Sequence, residues 1–355
     1  MFTGNVVKCF ICPYCKSDFV VIGRHFFCNG CQRKFTVEKG IYNFITHEGK
    51  YSDVPDDVMD SILRRMDSTP WVEAVYEALA EKNPWLYQII TDHTRTDYLF
   101  LQEFSKVNVV LDLGSGWGQS AFAMAKMAGL VMAMDSNSRR VKFIAKRASQ
   151  EKVDKVIPVQ ADVLKLPFKD ESFDFISMIG VLEWVAVDVP DDDPADIQHQ
   201  ALKEVYRVLK KGGSVCIGIE NSYAWAYTFG KPDDHTGIPY ISYLPRKEAD
   251  GLSRKLTSKS YRTYTYTKQG YVDLLQSAGF SGDNLDFYYP IPSYKEPTYI
   301  IPLGSREALR YFHTNLSSDH PLNSLEQKVR VTERESLEHN TYEDKVSSYF
   351  IFSRK

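Results

Sequence analysis

Three stretches of this chain hold residues whose types and spacing can do chemistry. Cys12-Pro-Tyr-Cys15 and Cys28-Asn-Gly-Cys31 are two CxxC pairs separated by twelve residues. Thiolates at that spacing supply the four soft ligands of a tetrahedral zinc site. Cys9 makes its own CxxC with Cys12. The pairs 12/15 and 28/31 mirror each other, however, so Cys9 is read as a bystander and His25 as a less favoured substitute. The second stretch, Val107 to Gly118, reads VNVVLDLGSGWG. A short β-branched run ends at Asp112, and glycines follow at 114, 116 and 118. Strand, glycine loop and helix together present backbone N–H groups and a helix N-terminus to a ligand. The third stretch, Asp233-Asp234-His235, follows a strand that ends at Glu220. A histidine beside two acids suits a general base for a hydroxyl. The same loop also reads as solvated surface.

The elements that must position these residues alternate along the chain. Strands are expected at 107–113, 130–135, 155–159, 173–179 and 214–220, with helices at 118–128, 138–149 and 196–209. A turn is expected at Lys211-Gly212-Gly213. A helix from Thr267 to Ala278, a strand at 284–289 and a last strand at 347–354 complete the pattern. Such alternation predicts an α/β fold with a doubly wound, mostly parallel sheet of seven strands. Ahead of it, Phe19–Ile22 and His25–Phe27 read as a hairpin between the cysteine knuckles, and 46–68 as a polar linker. Thr69-Pro70 and Asn83-Pro84 are helix starts, the second helix carrying apolar residues as far as Phe104. The expected organisation is a zinc ribbon at 1–46, a linker and helical cap at 47–106, and a core at 107–289 with a lid insertion at 221–266. An insertion at 290–346 and a final core strand at 347–355 follow.

The glycine loop lacks a dinucleotide fingerprint, because Gln119 stands where a third Rossmann glycine would fall. Asp112-Leu-Gly114-Ser115-Gly116-Trp-Gly118 instead resembles motif I of the class I S-adenosylmethionine-dependent methyltransferases. Three further stations carry the resemblance: Asp135 at the end of the second strand, Gln160-Ala-Asp162-Val163, and Phe173 through Glu183-Trp184. The resemblance implies the cofactor S-adenosylmethionine, with Asp135 and Ser136 at the ribose, since a carboxylate accepts two O–H hydrogen bonds. It implies Asp162 and Val163 at the adenine edge, and Ile179 and Glu183 in the segment bordering the methyl group. Asp162 reads equally as the cap of a local turn, and Trp117 and Trp184 as packing residues. The tail from Phe35 to Ile45 resembles zinc ribbons attached to, or partnered with, some methyltransferases. Residues 219–240 and 289–297 resemble methyltransferases of bacterial cell-surface glycan clusters.

These readings lead to an O-methyltransferase acting on a small-molecule or glycan-type acceptor, with His235 and Glu183 as catalytic candidates. Ile179-Gly-Val-Leu stands where exocyclic-amine methyltransferases carry Asn/Asp-Pro-Pro-Tyr/Phe. Two alternatives stay open. One is an RNA methyltransferase using the ribbon and the cations of 246–262, which alternate with tyrosines. The other is a non-catalytic cofactor-binding partner protein. The net charge of −3 gives no overall attraction to nucleic acid or anionic membrane. No run of about 20 apolar residues predicts a membrane span. The start of the chain does not read as a signal peptide, so the expected compartment is the cytoplasm.

Overall fold

The structure is a computed structural model that describes residues 4–45, 49, 52–316, 323–337, 339 and 341–355. It comprises two compact units. The first contains Met1–Met178, Gln200–Val215 and Arg354–Lys355; the second contains Ile179–His199 and Cys216–Ser353.

In the first unit an antiparallel meander comes first: β1 (Phe19–Ile22), β2 (His25–Cys28), β3 (Lys34–Glu38) and β4 (Ile41–Asn43). Lys39 and Gly40 join β3 to β4 with φ of 50° and 80°. Two positive φ angles in a two-residue loop give the turn whose twist matches the strands it connects. Phe10, Phe19, Phe26, Phe35, Tyr42 and Phe44 fill the meander's core, with ring centroids as close as 4.8 Å. The meander is tied to the rest of its unit. β4 pairs in parallel with β7 (Val156–Gln160), Phe10 stacks on Phe168 at 5.5 Å, and Lys169 N–H donates to the Cys9 carbonyl at 2.9 Å.

β5 (Val109–Leu113) lies between β6 (Leu130–Asp135) and β8 (Phe173–Ile179), and β6 pairs with β7, all in parallel. β5 and β6 are buried almost throughout, as expected for parallel strands with apolar runs. The helix Ser138–Glu151 follows β6. Asn137 caps it, its side chain accepting the Arg139 and Arg140 amides. The stretch read as a polar linker carries a helix, Asp56–Arg65, that buries Met59, Ile62 and Leu63. Those residues sit at helical spacing, and their signal was masked by the acids around them. Together with Trp71, Val75, Leu86 and Phe143 they form one apolar cluster. The helix expected to run from Pro84 to Phe104 ends at Thr91. A 3₁₀ segment, Thr94–Leu101, follows it.

β9 (Leu209–Glu220) begins before the expected turn, because Gly212 N–H donates to the Lys355 carbonyl and Lys355 N–H to that of Gly213. In the second unit β10 (Leu285–Ile291) pairs antiparallel with both β12 (Ser348–Arg354) and β11 (Tyr299–Pro302). Two capped helices belong to it: Lys268–Ser277, capped by Thr267, and Ser324–Ser336, where Asn323 and Glu326 form a capping box. Asn221 is fully buried and donates to the carbonyls of Asp344 and Val346 at 2.8 Å. Asn221→Ala strands both acceptors, and we expect it to destabilise the second unit by about 1–3 kcal/mol per lost partner. A thermal melt checks this, and an unchanged midpoint would contradict it.

The strand order is β1-β2-β3-β4-β7-β6-β5-β8-β9-β12-β10-β11. Among the described residues this corrects the expected seven-stranded sheet to a mixed sheet of twelve. The seven expected strands are present. The ribbon adds four through the β4–β7 pairing, and β11 adds one beside β10. An exposed parallel edge has unpaired N–H and C=O groups, and β4 covers that of β7. Among the described residues no helix is long and apolar enough to cross a membrane.

Candidate active site

In the first unit β5 delivers Asp112 to the start of the glycine loop. Asp112 is 3% exposed, and burial lifts its carboxyl to about 6 against hydrogen bonds from Ser115 and Ser177. Its Oδ2 is buried with no hydrogen-bond partner. Gly114, Gly116 and Gly118 all have φ between +53° and +86°. A Cβ at Gly116 would meet nothing nearer than the Gly114 carbonyl at 4.0 Å. The backbone therefore lies open to a ligand at that point. Ser115 ties the loop down, its N–H donating to the Met134 carbonyl and its Oγ to the Asp112 carbonyl, both at 2.8 Å.

Asp135 ends β6. Its carboxylate accepts N–H groups from Gly116 at 3.0 Å and Asn137 at 2.9 Å, with Arg140 Nη1 3.7 Å away. Arg140 also reaches Asp53 at 2.5 Å, and Asp53 accepts the Trp117 indole N–H at 3.0 Å. Asp53 was missed by sequence reading because it lies in the supposed linker. Ser136 gives its carbonyl to Gln160 at 3.1 Å. Asp162 caps the 3₁₀ turn Val163–Lys165 by accepting Leu164 N–H at 2.9 Å. A carboxylate has capacity beyond that one bond. The loop, the unspent Asp112 oxygen and the acid ending β6 fit an adenosyl cofactor.

The ribbon cysteines converge. Cys12, Cys15, Cys28 and Cys31 present sulfurs that all lie within 4.8 Å of one another, with Cys15–Cys28 at 3.2 Å and Cys12–Cys31 at 3.6 Å. Four thiolates on a tetrahedral zinc ion stand about 3.8 Å apart, so the donor set suits that metal. Cys9 lies outside the set, and Cys216 is a fully buried core residue.

The second unit holds a buried polar cluster. Glu183 follows β8 by four residues, Glu220 ends β9, and His235 lies in the loop beyond. Their side chains are 1%, 4% and 2% exposed. His235 Nε2 stands 3.7 Å from Glu220 and 4.0 Å from Glu183, and Nδ1 stands 3.8 Å from Asp233. Tyr294 OH stands 3.0 Å from Glu220 Oε1 and 3.4 Å from Glu183 Oε1, its one proton shared between the two carboxyls. Lys295 Nζ is 2.8 Å from Glu220 and 3.9 Å from Asp234. The Trp184 ring lies edge-on to His235 at 5.1 Å.

The two glutamates are driven apart. Burial, then the Glu220 charge, raises Glu183 to about 7. Burial works the same way on Glu220, but the Lys295 and His235 charges overcome it and hold Glu220 at about 2. His235 is raised to about 9, the neighbouring Glu220, Asp233 and Glu183 outweighing its burial. His235 therefore holds a proton at neutral pH, and Glu183 is the group poised to exchange one. The two glutamates and His235 lie within 4.8 Å of one another. The Lys295 ammonium already neutralises Glu220, so the cluster carries its own cation. Glu220, Tyr294 and Lys295 lie in the stretches 219–240 and 289–297 that sequence reading singled out, without a role of their own there. An acid at the carboxyl end of a strand was the available signal for Glu220.

In the basic stretch 246–262, Arg246 and Arg262 turn inward while Lys247, Arg254, Lys255 and Lys259 are exposed. Arg246 stacks over Tyr264 at 4.0 Å, Arg262 donates to the carbonyls of Ala186, Val189, Pro190 and Asp192, and Arg254 pairs with Asp250 at 2.7 Å. Ile179 ends β8 and packs within reach of Gly218.

Residues 111–217 match a family model described as a methyltransferase domain. The chain is 30% identical to a demethylmenaquinone methyltransferase of Lactiplantibacillus plantarum over 48% of its own length and 69% of the relative's. It is 26% identical to a ubiquinone/menaquinone biosynthesis C-methyltransferase of Rhizobium rhizogenes, over 71% of this chain and 85% of that protein. A phosphoethanolamine N-methyltransferase 2 of Haemonchus contortus, solved with S-adenosyl-L-methionine, aligns with a TM-score of 0.45 at 16% identity, covering 83% of this chain and 60% of that one.

Proposed function

We propose that this chain, which belongs to the class I S-adenosylmethionine-dependent methyltransferases, methylates a hydroxyl oxygen of a small-molecule or glycan-type acceptor, with Glu183 taking the hydroxyl proton. The observation that carries this reading is the Glu183 carboxyl, 1% exposed, with His235 Nε2 at 4.0 Å and the Tyr294 hydroxyl at 3.4 Å, which burial and the Glu220 charge raise to about 7. A general base works best when its pKa lies near the working pH.

In this reading the cofactor is held by the loop Gly114, Ser115, Gly116 and Gly118, with Asp112 behind it. Asp135 and Ser136 serve the ribose, Asp162 and Val163 the adenine edge, and Ile179 the methyl end. When bound, it supplies a methyl group on a positively charged sulfur, which departs with the bonding electron pair as the acceptor oxygen takes the methyl. Glu183 accepts the hydroxyl proton in a site that excludes water. Tyr294 holds both glutamates by its hydroxyl, and Lys295 keeps Glu220 ionised. His235, protonated, offsets the negative charge that accumulates when Glu183 and Glu220 are both ionised. Cys12, Cys15, Cys28 and Cys31 bind one structural zinc ion.

Asp135→Ala removes an acceptor for two ribose O–H groups. We expect cofactor affinity to fall roughly tenfold to hundredfold by calorimetry. Asp135→Asn, which keeps one of the two oxygens that accept the Gly116 and Asn137 amides, should fall less. Unchanged affinity in both would remove Asp135 from the cofactor site.

The name of the Rhizobium rhizogenes relative supports a second reading, methyl transfer to carbon, where the same carboxylate would take the proton from that carbon. One experiment separates them: transfer of a ¹³C-labelled methyl group into fractionated cell extract, with the attachment atom read by NMR. Methyl on oxygen supports the first reading, on carbon the second, and on nitrogen neither.

A further inference from the structure

In the cluster of the second unit three buried side-chain atoms have no hydrogen-bond partner: two carboxylate oxygens and His235 Nδ1. Glu183 Oε2 and Glu220 Oε2 are buried without a partner, on residues 1% and 3% exposed. Their companion oxygens are engaged, Glu183 Oε1 by Tyr294 and Glu220 Oε1 by both Tyr294 and Lys295. His235 Nε2, at 3.7 Å from Glu220 Oε2, is beyond hydrogen-bond distance. With Glu183 ionised, both empty carboxylate positions are acceptors. Buried acceptors left unpaired are destabilising, the more so when charged. A single hydroxyl can satisfy one of them; two need two donors. One carboxylate oxygen from each glutamate and one His235 ring nitrogen lie within 4.8 Å of one another, so hydroxyls on neighbouring carbons are close enough together to address both glutamates.

We propose that the acceptor carries hydroxyls on adjacent carbons, one anchored by Glu220 and the other presented to Glu183 for proton removal. This rests on the methyl-transfer reading and narrows its substrate to a vicinal diol, whether alicyclic as in a sugar or aromatic as in a catechol. The Glu220 oxygen gives the spectator hydroxyl its role. A site built to receive that O–H discriminates strongly against an acceptor lacking it, because the buried carboxylate is then left unpaired.

The test uses the full chain labelled with ¹⁵N at histidine, the His235 signal being assigned with His235→Asn. Titration with cis-1,2-cyclohexanediol and with catechol is expected to shift that signal with at least one of the two, which distinguishes the alicyclic from the aromatic source. Cyclohexanol at the same concentration is expected to leave it in place. Glu220→Gln should weaken the binding of that diol roughly tenfold or more. In parallel, labelled methyl transfer into extract is repeated after periodate, which cleaves vicinal diols, and the label incorporated should fall roughly tenfold or more, as expected for an acceptor that loses the group the site binds. A His235 signal moved by neither diol, or moved equally by cyclohexanol, overturns the proposal, as does undiminished labelling after periodate. Diol binding without any label in untreated extract would instead count against the methyl-transfer reading.

Discussion

Glu183→Gln is expected to lower kcat by roughly 10²–10⁴-fold, the usual contribution of a positioned general base, while cofactor affinity stays at its wild-type value. Glutamine has the shape of the glutamate and can still accept from Tyr294, but it takes no proton. The wild-type pH profile should show the same group. The groups facing Glu183 are Glu220, His235, Lys295, Tyr294 and Tyr271. Burial and Glu220 raise Glu183 to about 7, so its base form is scarce below that pH and kcat/KM rises as the proton is lost. His235 is raised to about 9 by Glu220, Asp233 and Glu183 against its burial, so its positive charge is lost above that pH and the rate falls again. The expected profile is a bell with limbs near 7 and 9, and both limbs belong to the coupled cluster rather than to isolated residues. Steady-state rates across the neutral and alkaline range test this. Full activity in Glu183→Gln, or a profile flat through neutrality, would remove Glu183 as the base.

Removing the metal should have the second large effect. The meander β1–β4 is short, and its knuckles are held by four thiols that converge on one point. Small zinc domains draw about 10–16 kcal/mol of apparent binding free energy from the ion, and that energy is folding energy. Chelation, or Cys15→Ser with Cys28→Ser, is expected to release about one zinc per chain. Backbone amides of β1–β4 should then lose protection in hydrogen exchange. The loss should extend to the β4–β7 pairing at Tyr42 and Asn43, and to the Phe10–Phe168 stack. The parallel strands β5, β6 and β8 should keep their protection. Reduced protein that contains no metal, or ribbon amides that stay protected without it, would sink the zinc assignment.

Much of the first unit was legible because its signals are local. Two CxxC pairs specify a metal knuckle from four residues each. The run ending at Asp112 followed by alternate glycines specifies strand, loop and helix within about one turn of chain. The helix Asp56–Arg65 escaped notice for the opposite reason. Its acids and arginines serve surface ion pairs such as Asp60 with Arg139 at 2.8 Å, and they hid three apolar residues facing the cluster around Trp71. The growth of the sheet from seven to twelve strands was not legible either. Nothing local says that β4 pairs with β7, more than a hundred residues away in sequence.

The sequence by itself determined the methyltransferase family, the glycine loop and the cysteine set, because each is a short run whose spacing is set by backbone geometry. It also named Glu183 and His235, without their relation to each other. Only the tertiary structure decided which of them holds a proton. Glu183, Glu220, His235, Tyr294 and Lys295 come from four separate segments, and Tyr294 meets Glu183 across 111 residues of chain. Burial removes the water that would screen their charges, so each group's charge state is set by the others. That mutual dependence exists only once the chain has folded.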